Sequence, residues 1–234
     1  MRVAVMQPYF LPYIGYFQLI NCVDKYVVDD TVQFIKGGWI NRNRLLIKDK
    51  PARFTLSLKN GSTRSNINER YLSDKFEEDS NRLLKTIEFN YKKAPYFSET
   101  IALIYEILDY DHKVNIGEFN QNSLQVICKY LGIDTTIIAA SNISINNELK
   151  CQDMIIEIVK NLGGDEYINA IGGINLYSKE YFKKKLIDLY FIKTNDIEYK
   201  QYNNDFVSNL SILDVLMFNS KERVKELLNE YTLI

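Results

Sequence analysis

The residue types able to do chemistry concentrate between residues 7 and 44. Gln7, Asp29 and Asp30 are polar groups that end short apolar runs (Val3-Ala4-Val5-Met6 and Tyr26-Val27-Val28). A carboxylate in such a position can take a proton from a reacting group, and an amide can donate to a developing oxyanion. The stretch Gln33-Phe34-Ile35-Lys36-Gly37-Gly38-Trp39-Ile40-Asn41-Arg42-Asn43-Arg44 follows. From Thr31 through Lys48 there are four basic residues and no acid. Lys36 and Arg42 suit a phosphate, Asn41 and Asn43 add amide donors, and Trp39, the single tryptophan, can stack on a base or sugar. A solvated basic turn would have the same composition.

These residues need elements to carry them. Residues 2–6 read as a strand buried on both faces. Pro8 and Pro12 bracket a loop, and Pro12 suits the first turn of a helix over 13–22. Residues 25–29 read as a second, parallel strand, reached by a right-handed crossover. The spacing predicts strands at 44–48 and 52–58 with a turn at 49–51, and a polar loop over 59–70. Helices are expected at 74–92, 98–110 and 117–131, the first two separated by Pro95. A strand at 134–139 and a helix at 151–162, stopped by Gly163-Gly164, come next. Strands at 166–171 and 188–193 and two helices capped by Ser211 and Ser220 complete the chain. Alternating strands and helices imply an α/β fold: a three-layer, mostly parallel, Rossmann-like sheet. The expected organisation is one domain over 1–234, with 74–131 as a helical insertion or cap.

In such sheets ligands collect beyond the carboxyl ends of the strands. Gln7, Tyr9, Tyr13, Gly15, Asp29 and Asp30 would meet there, with the N-terminus of the first helix offering free N–H groups to an anion. Asp29 and Asp30, adjacent on a strand, point to opposite faces and take different roles. Gly172-Gly173 with Tyr177 is a further loop after a strand. Asp214 reads as a first-turn carboxylate favoured by its helix dipole.

Composition removes many alternatives. Basic and acidic residues number 29 and 30, so nothing global points to nucleic acid or an anionic membrane. No window is long and apolar enough to span a bilayer, and the N-terminal apolar run is too short for a signal peptide; a cytoplasmic protein is expected. Cys22, Cys128 and Cys151 are isolated, fall on apolar helical positions and read as small buried hydrophobes. His112 is the only histidine, so no paired-histidine metal site is available, and no P-loop, G-x-G-x-x-G or G-x-S-x-G occurs.

Met6-Gln7-Pro8-Tyr9-Phe10-Leu11-Pro12-Tyr13-Ile14-Gly15-Tyr16-Phe17, Asp29-Asp30-Thr31-Val32-Gln33-Phe34 and Trp39-Ile40-Asn41-Arg42-Asn43-Arg44 resemble the WbqC-like family, as do Ala94-Pro95-Tyr96-Phe97, Leu131-Gly132-Ile133 and Leu210-Ser211-Ile212-Leu213-Asp214. The resemblance covers nearly the whole chain. It implies work on activated sugars, often nucleotide-linked deoxyamino sugars, in bacterial O-antigen and other surface polysaccharide (lipopolysaccharide) pathways. The reaction expected on that footing is acyl or aminoacyl transfer to the sugar amine, so the partners are a nucleotide-linked sugar and an acyl or aminoacyl donor. Lys36, Arg42 and the helix N-terminus would hold the diphosphate, with Gln33, Asn43 and Gly15 beside them. Trp39, Tyr9 or Tyr13 would stack on base or sugar, Asp29 or Asp30 would act as base, and Gln7 and Asn41 would serve the acyl oxygen. His112 is a further catalytic candidate if the helical segment brings it to the crevice. The cofactor is left open, and a homodimer is compatible with this reading.

A second similarity is topological. The strand, proline loop, glycine-containing helix and Asp-ended strand are similar to nucleotidylyltransferases of the H-x-G-H type, with Tyr13-Ile14-Gly15-Tyr16 at the motif and both histidines absent. This leaves an ATP-dependent ligase or adenylating enzyme as one alternative. A non-catalytic sugar-binding assembly partner is another.

Overall fold

The computed structural model describes residues 1–62, 64–146, 148–149, 151–202 and 205–234; within the polar loop 59–70, Thr63 lies outside the described residues. The central strand β1 is Arg2–Met6. Its side chains alternate between two cores, Ala4 on one face and Val3 and Val5 on the other. β1 pairs in parallel with β2 (Lys25–Val28), and β2 with β5 (Thr136–Ala139). On its other edge β1 pairs with β6 (Glu166–Ala170), which pairs with β7 (Asp188–Thr194). Strand β8 (Tyr231–Leu233), absent from the sequence reading, closes that edge antiparallel. The spatial order is β5-β2-β1-β6-β7-β8. Leaving out the β3–β4 hairpin, this is the Rossmann order, with its reversal point between β1 and β6.

The helices divide between the faces. α1 (Ile14–Asn21) packs in the core that holds Ala4 and Val28, together with α4 (Ile116–Leu131), α7 (Ile212–Phe218) and α8 (Lys221–Leu227). α5 (Cys151–Asn161) and α6 (Lys179–Lys184) cover the opposite face through Ile155, Ile158, Val159 and Phe182. Helix α6 also escaped the sequence reading. α4 is the crossover that carries the chain from the β2 side to β5. α2 (Phe76–Tyr91) and α3 (Phe97–Leu108) lie before it.

Local chemistry fixes several boundaries. Asn115 accepts from the Glu118 N–H to start α4, and Gly132, at φ 71°, ends it. Ser211 and Ser220 cap α7 and α8 as expected. Pro12 stands one residue outside α1, whose N-cap is Tyr13, because its carbonyl receives the Ile212 N–H instead. The strands expected at 44–48 and 52–58 are β3 (Arg42–Ile47) and β4 (Lys50–Thr55), an antiparallel pair outside the main sheet. Lys48 and Asp49 both have positive φ (48° and 63°), the geometry that turns a two-residue hairpin in register with strand twist, so the turn falls earlier than 49–51. Cys151 departs from the expectation of burial. It is exposed at the start of α5, whereas Cys22 and Cys128 are buried and their thiols are pushed up to about 12.

The loop joining β1 to α1 is irregular yet buried: Phe10 and Leu11 are both 0% exposed. A buried carbonyl without a donor is costly, so each must find one. Asn120, itself fully buried, donates Nδ2 to the carbonyls of Pro8 (3.2 Å) and Ile40 (2.7 Å). Asn43 Nδ2 donates to Phe10 (3.1 Å) and Leu11 (2.9 Å). The Ser211 hydroxyl donates to Leu11 (2.7 Å). Asp214 is 0% exposed and accepts from the Tyr91 and Tyr199 hydroxyls and the Gln201 amide, each at 2.7 Å. It is therefore a buried tie between α2, α7 and the segment after β7, and much more than a first-turn charge.

Replacing Asn120 with Ala strips donors from two buried carbonyls. Urea unfolding of Asn120→Ala should show a loss of about 3 kcal/mol, against under about 1 kcal/mol for the control Gln125→Ala at an exposed position of the same helix. Equal effects would show that the loop does not depend on this side chain.

Candidate functional site

Two features meet at the carboxyl edge of the sheet. The first is a cleft of about 820 Å³ bounded by Gln7, residues 32–37, Asn41, Arg42, Thr55, residues 58–62 and Arg70. Its walls are zipped together by backbone bonds: Phe34 N–H to Ser65, Ile67 N–H to Val32, and Asn68 N–H to Asp30. Lys36, Arg42, Lys59 and Arg70 line it, and no lining residue carries a carboxylate. Arg42 Nε donates to the Gly38 carbonyl at 2.8 Å, which fixes the guanidinium and leaves its outer N–H groups for a ligand. Gly37 makes this possible: its φ is 88°, and a Cβ there would stand 3.2 Å from Arg42 Nη2. Arg70 lies over the Phe34 ring at 5.1 Å and donates to the carbonyls of Lys59 and Ser62. Lys59 also reaches Asp74 at 3.3 Å, outside the cleft.

The second feature is a buried carboxylate at the end of β2, one strand away from the sheet's reversal point. Asp29 ends β2 and is 8% exposed. It receives one long hydrogen bond, from the Thr31 hydroxyl at 3.3 Å. Burial, with the Asp30 charge adding to it against the Thr31 bond, pushes its carboxyl up to about 6. Asn169 and Tyr167 of β6 lie beyond β1, with Tyr177 against Tyr167. Asn169 Nδ2 donates to the Tyr167 hydroxyl at 2.9 Å, and the two tyrosine rings meet edge to face at 5.7 Å. The Asp29 charge helps hold both phenols above their ordinary range, after the larger effect of burial.

The other sequence-selected residues fall in different places. The structure brings Gln7, Gln33, Lys36, Asn41 and Arg42 to the cleft. Asp30 turns away from Asp29, and its carboxylate accepts from the Ser141 N–H (2.9 Å) and hydroxyl (2.6 Å) at the end of β5. Asn43 points inward to the buried loop. Trp39 gives its carbonyl to the Phe10 N–H, and its ring lies 5.3 Å from the Arg44 guanidinium. Tyr9 leans on Tyr16, whose hydroxyl donates to the Gln7 carbonyl. Tyr13 and the start of α1 face a separate groove of about 550 Å³, whose charged liners are Asp196 and Glu198. An anion therefore finds its cations in the cleft by residue 36 and carboxylates at the α1 end. Gly15 serves packing: a Cβ there would lie 2.6 Å from Thr194 Oγ1 on β7. His112 stacks on Phe76 at 5.1 Å between α3 and α4 and lines neither feature. Sequence reasoning missed Lys59, Arg70 and Asn169. Lys59 and Arg64 fall in a second stretch, residues 59–68, that has cations and no acid, which was the available signal. Asn169 gave none.

Asp29 should cost stability. Its folded pKa lies above the unfolded value, so folding takes up a proton between about pH 4 and 6, and stability falls as pH rises through that window. Asp29→Asn is expected to gain about 1–3 kcal/mol at pH 8 and much less at pH 4, read by thermal and urea unfolding. A loss at pH 8 would mean that the carboxylate has partners that hold it charged.

The chain resembles known proteins along most of its length. The WbqC-like protein family matches residues 7–226. An uncharacterized protein of Mycobacterium tuberculosis, Rv1507c, is 26% identical over 220 residues, covering 93% of each chain. No solved structure matches. Among the described residues no helix is long and apolar enough to cross a membrane, and no group of His, Cys, Asp and Glu could hold a metal ion. By the extent of the family match, the chain belongs to the WbqC-like protein family.

Proposed function

We propose that this chain is a transferase acting on a nucleotide-linked deoxyamino sugar, moving an acyl or aminoacyl group to the sugar amine in bacterial surface polysaccharide (O-antigen) biosynthesis. The observation that carries the reading is the pairing of the two features: a cleft with four cations and no acid beside a buried carboxylate held near neutrality. The cleft is the right sign and size for a diphosphate: Lys36, Arg42 and Arg70 form no ion pair among the described residues, and of these Arg70 is committed to the carbonyls of Lys59 and Ser62. Gln7 lines the cleft at the end of β1, one strand from Asp29. Asp29 takes one proton from the ammonium, the freed amine forms the C–N bond, and the donor's leaving group departs with its electron pair and the second nitrogen proton. Gln7 is the side-chain amide placed for the acyl oxygen; Asn41 Nδ2 donates to the Leu56 carbonyl at 2.7 Å and keeps one N–H for it.

One observation favours a second reading. The strand order is that of nucleotide-binding doubly wound sheets, and the cleft also suits the triphosphate of ATP, as an adenylating enzyme would need.

Purified protein incubated with dTDP- or UDP-linked amino sugars and a panel of acyl and aminoacyl donors should yield a product heavier by the acyl group, read by mass spectrometry. Arg42→Ala should raise KM for the nucleotide sugar by about 10- to 100-fold with a smaller effect on kcat. Asp29→Asn should lower kcat by about 10²–10⁴-fold. kcat/KM should rise with pH through a limb near 6 as Asp29 ionises. Release of pyrophosphate from ATP, dependent on a carboxylic acid and without sugar acylation, would replace this reading with the second.

A further inference from the structure

A separate polar pocket of about 280 Å³ lies at the ends of β2 and β5. Part of its lining is one face of α4: Glu118, Gln121, Asn122 and Gln125 follow the i, i+3, i+4, i+7 spacing. A solvated helix face is ordinarily charged, and α2, of the same length, exposes Glu77, Glu78, Arg82, Lys85 and Glu88. The α4 face carries three carboxamides instead. None of the three side chains makes a hydrogen bond among the described residues. The sheet supplies Asp30, with Ser141 and Asn142 from the segment after β5. Gly117 lets helix and sheet approach: a Cβ there would stand 3.0 Å from Asp30 Cβ. Asp30 is 4% exposed, and each carboxylate oxygen accepts a single hydrogen bond, both from Ser141, so each keeps a lone pair. Among the described residues no cation lines this pocket, and Tyr110 is its one aromatic ring.

We propose that this pocket is a seat for one uncharged sugar ring, held through its hydroxyls. Its volume stands at the lower end of small-molecule sites, about 300 Å³, which suits a single ring. A sugar hydroxyl both donates and accepts. A carboxamide answers with an N–H and a C=O, and a carboxylate accepts from two neighbouring hydroxyls. Tyr110 offers an apolar surface to the C–H face of the ring. A phosphate finds no cation here and meets the charges of Asp30 and Glu118. The seat adjoins the cationic cleft without sharing its donors: the Ile116 N–H, at the start of α4, donates to the carbonyl of Arg70 at 2.7 Å. It does not rest on the transferase reading, since neither Asp29 nor Lys36 nor Arg42 takes part.

The test is a titration of the ¹⁵N-labelled chain with free glucose, galactose, mannose, fucose, rhamnose and N-acetylglucosamine. At least one sugar is expected to move the side-chain NH₂ signals of Gln121, Asn122 and Gln125 together, with a Kd of about 0.1–10 mM, and to leave that of Asn60 in the cleft still. Glucuronic acid and glucose 6-phosphate should bind more weakly than glucose. Gln121→Ala/Asn122→Ala should weaken the best sugar by about tenfold or more at an unchanged melting temperature, because these side chains hold nothing else in the fold. Lys36→Ala/Arg42→Ala should leave that affinity unchanged, whether or not it impairs acyl transfer. If the Gln121→Ala/Asn122→Ala variant does not fold, Gln125→Ala decides, with a loss of about threefold or more. No shift with any sugar at about 50 mM overturns the seat, as does an affinity that these α4 variants leave unchanged. Calcium chloride that moves the same signals, with sugar binding lost in EDTA, marks a cation site and also overturns it.

Discussion

Everything at the site hangs on burying a stretch of irregular backbone without leaving its carbonyls bare. Residues 7–12 leave β1, run through the core and enter α1. Two prolines remove donors from this stretch, and Leu11 sits at φ 46°, outside ordinary helix or strand geometry. The cost is met by Asn43, Asn120 and Ser211, which come from three distant parts of the chain. That arrangement explains why β3, α4 and α7 converge where they do. It also fixes Gln7 at the lip of the cleft, because a loop gripped at Pro8, Phe10 and Leu11 leaves its first residue little freedom. A comparable tie holds the far side, where Asp214 gathers three donors and Tyr91 accepts from the Leu46 N–H of β3.

The charges follow the same geometry. Overall the chain is nearly neutral, yet around the sheet edge the signs are sorted: cations on the hairpin and the loops beside it, carboxylates at the end of β2 and in the groove at the start of α1. The Rossmann order puts these regions at adjacent strand ends. In many doubly wound folds the helix after the first strand receives the phosphate. Here Asp196 and Glu198 line the groove at that end, and the basic cleft lies on the other side of Gln7. Tyr13 and Tyr16 stand where an H-x-G-H motif would have its histidines, and the described residues of that groove include no cation.

Periodicity made the architecture legible. Every strand of the parallel sheet was placed from its apolar run, and α2, α3, α4, α5, α7 and α8 from spacing and caps. The misses have physical causes. β8 has three residues and owes its conformation to pairing with β7, a long-range fact. α6 has six residues, four of them lysines or glutamate, and shows little apolar periodicity apart from buried Phe182. The hairpin turn was misplaced because Lys48 and Asp49 are not the glycines and asparagines that usually adopt positive φ. At the site, charge type was legible and direction was not. Asn41 and Asn43 look alike in sequence, but only Asn41 lines the cleft. Composition cannot tell whether an amide faces a ligand or an orphaned carbonyl.

Asp29 and Asp30 make the same point with energy attached. Alternation on a strand sends them to opposite faces. One finds two donors on Ser141 and ties β5 to β2. The other finds almost none, and its carboxyl rises toward neutrality. A fold under pressure for stability alone would place an asparagine or an apolar residue there, since an under-solvated carboxylate destabilises the native state above its pKa. Its presence beside a cationic cleft fits a group whose partner arrives from outside the chain. The same arithmetic makes the site sensitive to pH: the carboxylate that best receives a proton near neutrality is the one the fold hydrates least.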